Sequence, residues 1–514
     1  MRPTGLRRFQ LPAFARDPAE LIADAGPERF EWYSMAVGLR VARLAYLADA
    51  AARRPEVPDA AVLLMIRSVK FHQRLLASPA FFKAHNNHGV CQALGLLASA
   101  RRFAWMRGMR AKEKLALREL RGLIEAQFHA DGFHREHSPG YHHTVLGWLG
   151  GRGRRRPRRR ERGSAVAIGA HAGALGDARR HPRSVRRHRS AQHPAHARAR
   201  RAILESELRY LMTDGEAGSP PATGVSAFPE SGYAVARLFG GKPADASYLA
   251  QLAAFHSRVH KQADHLTFVW HEGQRAILTD PGRYGYAGKT SPGDGLWEQG
   301  FWYSAPERVY VESTAAHNCV EIDGRSYPRR IRPFGSALRQ ADLQDGMAVF
   351  DSEVRHPGGV RQRRTLILAP GEFLVVLDWL HDRSRKPHAY RQCFTFAPAI
   401  EMEAADFGFR SLDRTVSVAE LLGATPGPVR RGQSDPIAGW VSDEPYHLVP
   451  ASSISFGREG ATVTFATVIS LSPMIEPLPV TRTSTRTTVL AWKAPATRRL
   501  TITRHDRVQV SRDR

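Results

Sequence analysis

Three short stretches carry the side chains best suited to move protons. In HKQADHLTF, residues 260–268, His260, Gln262 and Asp264 fall at alternate positions. On a strand, alternate side chains share one face, so the spacing predicts a polar row that could line a pocket. DGFHREHSPGYHHTVL, residues 131–146, gathers Glu136, His137, Tyr141, His142 and His143 around a Ser-Pro-Gly turn. A tyrosine there can donate a proton if burial or a neighbouring cation adjusts its pKa, although a lone tyrosine is more often an interface aromatic with a bonded hydroxyl. HNNHG, residues 85–89, leads into the apolar run GVCQALGLLASA. That places Asn87 and His88 at a helix N-terminus, where unpaired N–H groups favour anions and where asparagine is also an ordinary cap.

A fourth group is Asp280 in ILTDPG with His317 and Asn318 in STAAHNCV. Histidine and carboxylate side chains on neighbouring strands are plausible zinc ligands, but the spacing is too long to count as a metal motif, and a satisfied core histidine is the commoner case.

The elements that must position these residues divide the chain in two. From about 30 to 150 the segments MAVGLRVARLAYLADAA, DAAVLLMIRSVKFHQRLLA, GVCQALGLLASARRFAWM and AKEKLALRELRGLIEAQF repeat apolar residues every three or four positions, predicting successive helices in antiparallel hairpins. From about 230 onward short alternating runs such as SGYAVARLF, MAVFDSEVR, RQRRTLILAP, EFLVVLDWL and ATVTFATVIS are punctuated by Gly, Pro, Asp and Asn, predicting an antiparallel sandwich or a stack of sheets. At 514 residues, two or three domains are expected.

The net charge of +26 would ordinarily point to polyanionic partners. Residues 151–201 alone hold 17 Arg and no Lys against Glu161 and Asp177, a local excess of +15 that leaves +11 for the rest. Only Val166, Ile168, Leu175 and Val185 in this run are aliphatics larger than alanine. One reading is a disordered basic arm. Another is a stretch of gene translated in the wrong frame between two compensating shifts, because amphipathic pattern resumes abruptly at AILESELRYLM. On that second reading the charge carries no nucleic-acid function, and the run also lacks the interleaved aromatics of a binding fold. Cys91, Cys319 and Cys393 are widely separated, which suggests buried thiols rather than disulfides or a zinc knuckle. No stretch approaches the length of a membrane span, and the first residues show no continuous apolar signal region.

Taken in order, NNHGVCQALGLLA, EHSPGYHHTVL, FPESGYAVAR, FHSRVHKQADHLTF, ILTDPGRYGY and STAAHNCVEIDG resemble the heparinase II/III family of polysaccharide lyases. The resemblance implies an α+β multidomain fold: an incomplete α/α toroid over residues 1–220, interrupted by the aberrant Arg-rich segment 151–201, then an antiparallel β-sandwich of stacked sheets over 221–514. It implies β-elimination next to a uronic acid in an acidic polysaccharide, with heparan-like, alginate-like and bacterial exopolysaccharide substrates all meeting the same requirement. Asn87 and His88 would hold the uronate carboxylate, Tyr141 would be the general acid and, in syn geometry, also able to act as base, His260 the other base or a support for the carboxylate, Glu136 the orienting group, and His142 a further substrate contact. No cofactor is needed for such proton chemistry. The family's structural zinc site would fall on Gln262, Asp280 and His317, with glutamine a weaker zinc ligand than imidazole. A periplasmic or secreted location is implied, without nucleic-acid binding or membrane insertion. The alternative is a catalytically degenerate carbohydrate-binding protein of the same fold, or the product of a locally frameshifted gene.

Overall fold

The structure, a computed structural model, describes residues 32–137, 145, 219, 223–238, 245–258, 260–482 and 486–513. They fall into two compact units: one holds residues 32–129 and Val145, and the other holds 130–137 together with the described residues from 219 on. The short segment 130–137, which carries Glu136, thus belongs to the β-rich unit.

In the helical unit the four predicted helices form as α1 (Ser34–Ala52), α2 (Asp59–Leu76), α3 (Asn87–Arg102) and α4 (Met109–Gln127). The central helix α3 packs against α1 and α4. It comes unusually close to α1 because both helices present glycine at the crossing. A Cβ on Gly95 would stand 2.1 Å from the Gly38 carbonyl oxygen, and one on Gly38 would stand 2.5 Å from that of Cys91. Val37, Val41, Ala45, Leu75 and Leu96 fill the core around this crossing. The close approach is what brings the first turn of α1 to the first turn of α3.

The β-rich unit contains a five-stranded antiparallel meander, 224–228, 233–238, 247–252, 267–272 and 275–278, each strand pairing with the next. Its largest sheet has eight strands in the order 402–405, 408–411, 417–420, 462–470, 373–382, 360–369, 347–355 and 338–344. The alternation of side chains splits its apolar runs between two cores. Ala348, Phe350, Leu366, Leu368, Leu374 and Val376 face the core shared with the meander and with the four-stranded sheet that includes 388–395 and 453–460. Met347, Val349, Ile367, Phe373, Val375 and Leu377 face a second core closed by the C-terminal sheet through Leu490, Trp492, Leu500 and Ile502. Burial on both faces explains why these strands read as continuous apolar runs.

One expectation fails here. HKQADHL is not a strand: regular pairing begins only at Thr267, and His260 and Leu266 both have left-handed backbones, with φ of 55° and 54°. The alternating polar row therefore does not exist, and Gln262 and Asp264 turn to separate partners.

Candidate functional site

In the β-rich unit, His260 Nδ1 lies 3.0 Å from Glu136 Oε2, across 124 residues of sequence. A carboxylate accepts a hydrogen bond from Nδ1–H, which favours the tautomer with the proton on Nδ1. Glu136 is buried, whereas the His260 side chain keeps 26% of its surface, so the imidazole is supported from inside and reachable from outside. The left-handed conformations of His260 and His137 are costly for non-glycine residues and are held by this surrounding structure.

A hydrogen-bond relay fixes the segment that carries Glu136. Asp131 accepts from the Ser231 amide at 2.8 Å, His256 Nε2 lies 3.1 Å from the Ser231 carbonyl, and the His256 amide donates to His137 Nε2 at 2.7 Å. The rings of His137 and His256 stack. Burial depresses the pKa of His134 and of His256; for His134 the Glu136 carboxylate pulls the other way. Neither His134 nor His256 was singled out by sequence reasoning. Their only signal was position, His256 four residues before His260 and His134 two before Glu136.

Gln262, Asp280 and His317 do come together. His317 Nε2 is 2.8 Å from Gln262 Oε1 and 3.6 Å from Asp280 Oδ2, and its Nδ1 is 2.7 Å from the Ser313 carbonyl. The Gln262 amide donates to the Gly282 carbonyl at 2.9 Å, and the Gly282 amide donates to Asp280 at 2.8 Å. Ligands of a tetrahedral zinc, each about 2.0–2.2 Å from the metal, stand roughly 3.3 Å apart. The 2.8 Å contact is instead that of a direct hydrogen bond. As arranged, the trio does not fit zinc: its members satisfy one another.

Asp264 pairs with the buried Lys261 instead of joining His260. His265 is fully buried against Tyr327 and His356, and its pKa is driven well below the ordinary value by burial. Asn318 is a staple: its amide donates to Phe268 and Thr279 carbonyls, and its carbonyl accepts from Thr395.

In the helical unit Asn86, not Asn87, is the cap, its side chain accepting from the His88 amide at 3.0 Å. Asn87 is buried in the first turn of α3. The His88 ring is held 3.0 Å from both the Tyr33 hydroxyl and the Ser34 hydroxyl. Gly89 is required because a Cβ there would stand 2.1 Å from the Lys83 carbonyl oxygen. Tyr141 and His142, the run 151–201 and AILESELRYLM lie outside the described residues.

Residues 220–468 match the heparinase II/III-like C-terminal family, and residues 9–150 match the heparinase II/III N-terminus. The chain belongs to the heparinase II/III family. A heparin-sulfate lyase from Bacteroides stercoris is 24% identical to this family member over 172 residues, 33% of this chain and 23% of the relative. The chain thus matches less than a quarter of that curated relative's length. Among solved structures, a heparinase III with methylated lysines is similar at 16% identity and TM-score 0.66, covering 96% of this chain and 77% of that one. The heparan sulfate lyase HepC from Pedobacter heparinus is similar at 14% identity and TM-score 0.62, covering 95% and 75%. At these identities the structural likeness speaks for the fold: helical at the N-terminal side and β-rich beyond it.

Proposed function

We propose that this heparinase II/III family member is a polysaccharide lyase that cleaves a uronic-acid-containing polysaccharide by β-elimination, and that His260 is its base. The observation that carries the reading is the His260–Glu136 pair, an imidazole held at Nδ1 by a buried carboxylate with part of its ring surface still exposed. In the reaction the C5 proton goes to the base, its electron pair forms the C4–C5 double bond, and the C4–oxygen bond breaks as the leaving oxygen gains a proton. The C5 proton is acidic enough only when the adjacent carboxylate is neutralised, so the enolate-like charge requires hydrogen-bond donors.

By family resemblance those donors are Asn87 and His88, the acid is Tyr141, and His142 is a further substrate contact. Glu136 is the positioning residue for His260. The hydrogen-bonded trio Gln262, Asp280 and His317 supports the loop next to His260 without metal, since Gln262 is anchored by Gly282 and His317 by Ser313. The four helices are read as part of an incomplete α/α toroid and the stacked sheets as an antiparallel β-sandwich, with a periplasmic or secreted location. Among the described residues no helix is long and apolar enough to cross a membrane.

The test is the ultraviolet absorbance of the new double bond, followed over heparan sulfate, alginate and bacterial exopolysaccharides. Tyr141→Phe and His260→Ala are each expected to lower the rate about 10²–10⁴-fold. Binding without any product from the parent chain would instead favour the degenerate carbohydrate-binding alternative.

A further inference from the structure

The backbone of His260 is left-handed, with φ of 55°, a conformation that sterics disfavour for any residue with a β-carbon. Glu136 holds the ring at Nδ1, but that contact does not fix the backbone on either side of it. The segment 329–331 does. Arg329 Nη1 donates to the Lys261 carbonyl, one residue beyond His260, at 2.8 Å. The Arg258 side chain, two residues before His260, donates to the carbonyls of Arg330 at 2.6 Å and Ile331 at 3.2 Å. One link runs from the segment's side chain to the loop's backbone and the other from the loop's side chain to the segment's backbone, so 329–331 brackets the proposed base.

Arg329 is itself held in place. Its side chain is buried, Nη1 lies 2.9 Å from Glu312 Oε2, and the guanidinium sits 4.5 Å from the centre of the Phe301 ring. The Glu312 carbonyl accepts from the Ala263 amide at 2.9 Å. The Thr314 hydroxyl donates to the Ala263 carbonyl and accepts from the Tyr327 amide, both at 2.8 Å. The chain just after His260 is thus gripped at the Lys261 carbonyl, the Ala263 amide and the Ala263 carbonyl. Arg308 also pairs with Glu312, so loss of Arg329 leaves that carboxylate with a counter-charge. What it removes is the donor to the Lys261 carbonyl, and a buried carbonyl without a donor turns to find one.

We propose that Arg329 is a positioning residue for His260: by holding the Lys261 carbonyl it keeps the left-handed turn, and the turn keeps the imidazole on Glu136. Its bearing on catalysis rests on the lyase reading; the clamp itself is read from the ring alone.

The experiment is proton–nitrogen correlation NMR of the full chain, with histidine labelled in the heavy nitrogen isotope, at mildly alkaline pH. The His260 signals are those missing from His260→Ala, and their two nitrogen shifts report which nitrogen carries the proton. The parent should show the proton on Nδ1. Arg329→Met should show the mixed tautomers of an unconstrained imidazole with unchanged far-ultraviolet circular dichroism, and Arg329→Lys, which keeps a charged donor, should restore the parent signature. The proposal is overturned if the parent lacks that signature, if Arg329→Met keeps it, or if Arg329→Lys fails to restore it. Should Arg329→Met not fold, Arg258→Ala decides, because that side chain lies at the surface: loss of the signature supports the clamp and a parent-like signature overturns it. On any polymer that the parent cleaves, Arg329→Met should lower kcat about 10–100-fold with little change in KM. Combined with Glu136→Gln it should cost no more than the larger single loss, since both act through one ring; additive losses would overturn the proposal. A ring that responds to Arg329→Met in a parent that yields no double-bond product would sink the lyase reading and leave the clamp standing. Product from the parent, with the signature intact in Arg329→Met, would do the reverse.

Discussion

At the scale of single residues, the central arrangement is an imidazole held by a carboxylate, and its two members are expected to differ in what their loss does. Glu136→Gln keeps the volume but removes the charge that fixes the His260 tautomer. It should lower the elimination rate about 10–100-fold with little effect on KM, whereas a merely structural glutamate would change the melting temperature and leave kcat unchanged. Gln262 gives a second residue-level prediction. Because the 2.8 Å contact to His317 is a hydrogen bond, incubation with a chelator should leave the melting temperature of the parent unchanged. Gln262→His places a second imidazole beside His317 and Asp280, and this variant should gain a zinc-dependent rise in melting temperature; a parent that already contains stoichiometric zinc and loses stability on chelation would contradict the account. Glu136 and His260 were legible as chemically apt residues, and Gln262, Asp280 and His317 through the family resemblance. What spacing misjudged was the local backbone, since alternation in HKQADHL mimics a strand while left-handed turns at His260 and Leu266 send its side chains to different partners.

At the scale of elements, the loops bearing His260–Leu266 and His317–Asn318 are anchored by one buried cation. Arg364, in the strand 360–369, makes a two-pronged pair with Asp378 at 2.9 and 2.6 Å and donates to the carbonyls of Leu266 and Asn318. Both side chains are fully buried, so Arg364→Ala removes the counter-charge of Asp378, leaving it the amides of Gln362 and Gln392, and takes a donor from two carbonyls. A loss of about 3–5 kcal/mol in urea unfolding is expected. A loss under 1 kcal/mol would show that the loops do not depend on it. Histidine burial sets a second expectation. Burial pushes His72 and His356 down to about 4, and His265 also lies far below its ordinary value. The unfolded chain binds protons on these rings that the folded chain refuses, so their contribution is complete above about pH 6.5 and is lost as pH falls toward about 4. The melting temperature should therefore drop over that window; a flat profile would contradict it. The helices were readable because their three- and four-residue apolar spacing is long and regular, and the central strands because their apolar runs are bounded by turn residues. The assignment of residues 130–137 to the β-rich unit was not readable, since it depends on Asp131, His137 and Glu136 meeting partners more than 90 residues away.

At the scale of the whole molecule, the two family matches end at residue 150 and resume at 220, on either side of the Arg-rich run. The reading of residues 151–201 as out-of-frame translation is tested at the gene. Resequencing the gene and translating codons 150–202 in the other frames should give an amphipathic helical pattern; failure to find one rejects the idea and returns the +15 charge to consideration as a real basic segment. The central claim is that His260 abstracts a proton next to a uronate. Its most direct measurement is the ultraviolet absorbance of the C4–C5 double bond during incubation with a panel of uronate polymers, comparing the parent, His260→Ala and a frame-restored chain. The account predicts rising absorbance on at least one polymer and a fall of about 10²–10⁴-fold in His260→Ala with unchanged melting. No absorbance change from the parent or the frame-restored chain on any polymer, or equal rates with and without His260, would contradict it.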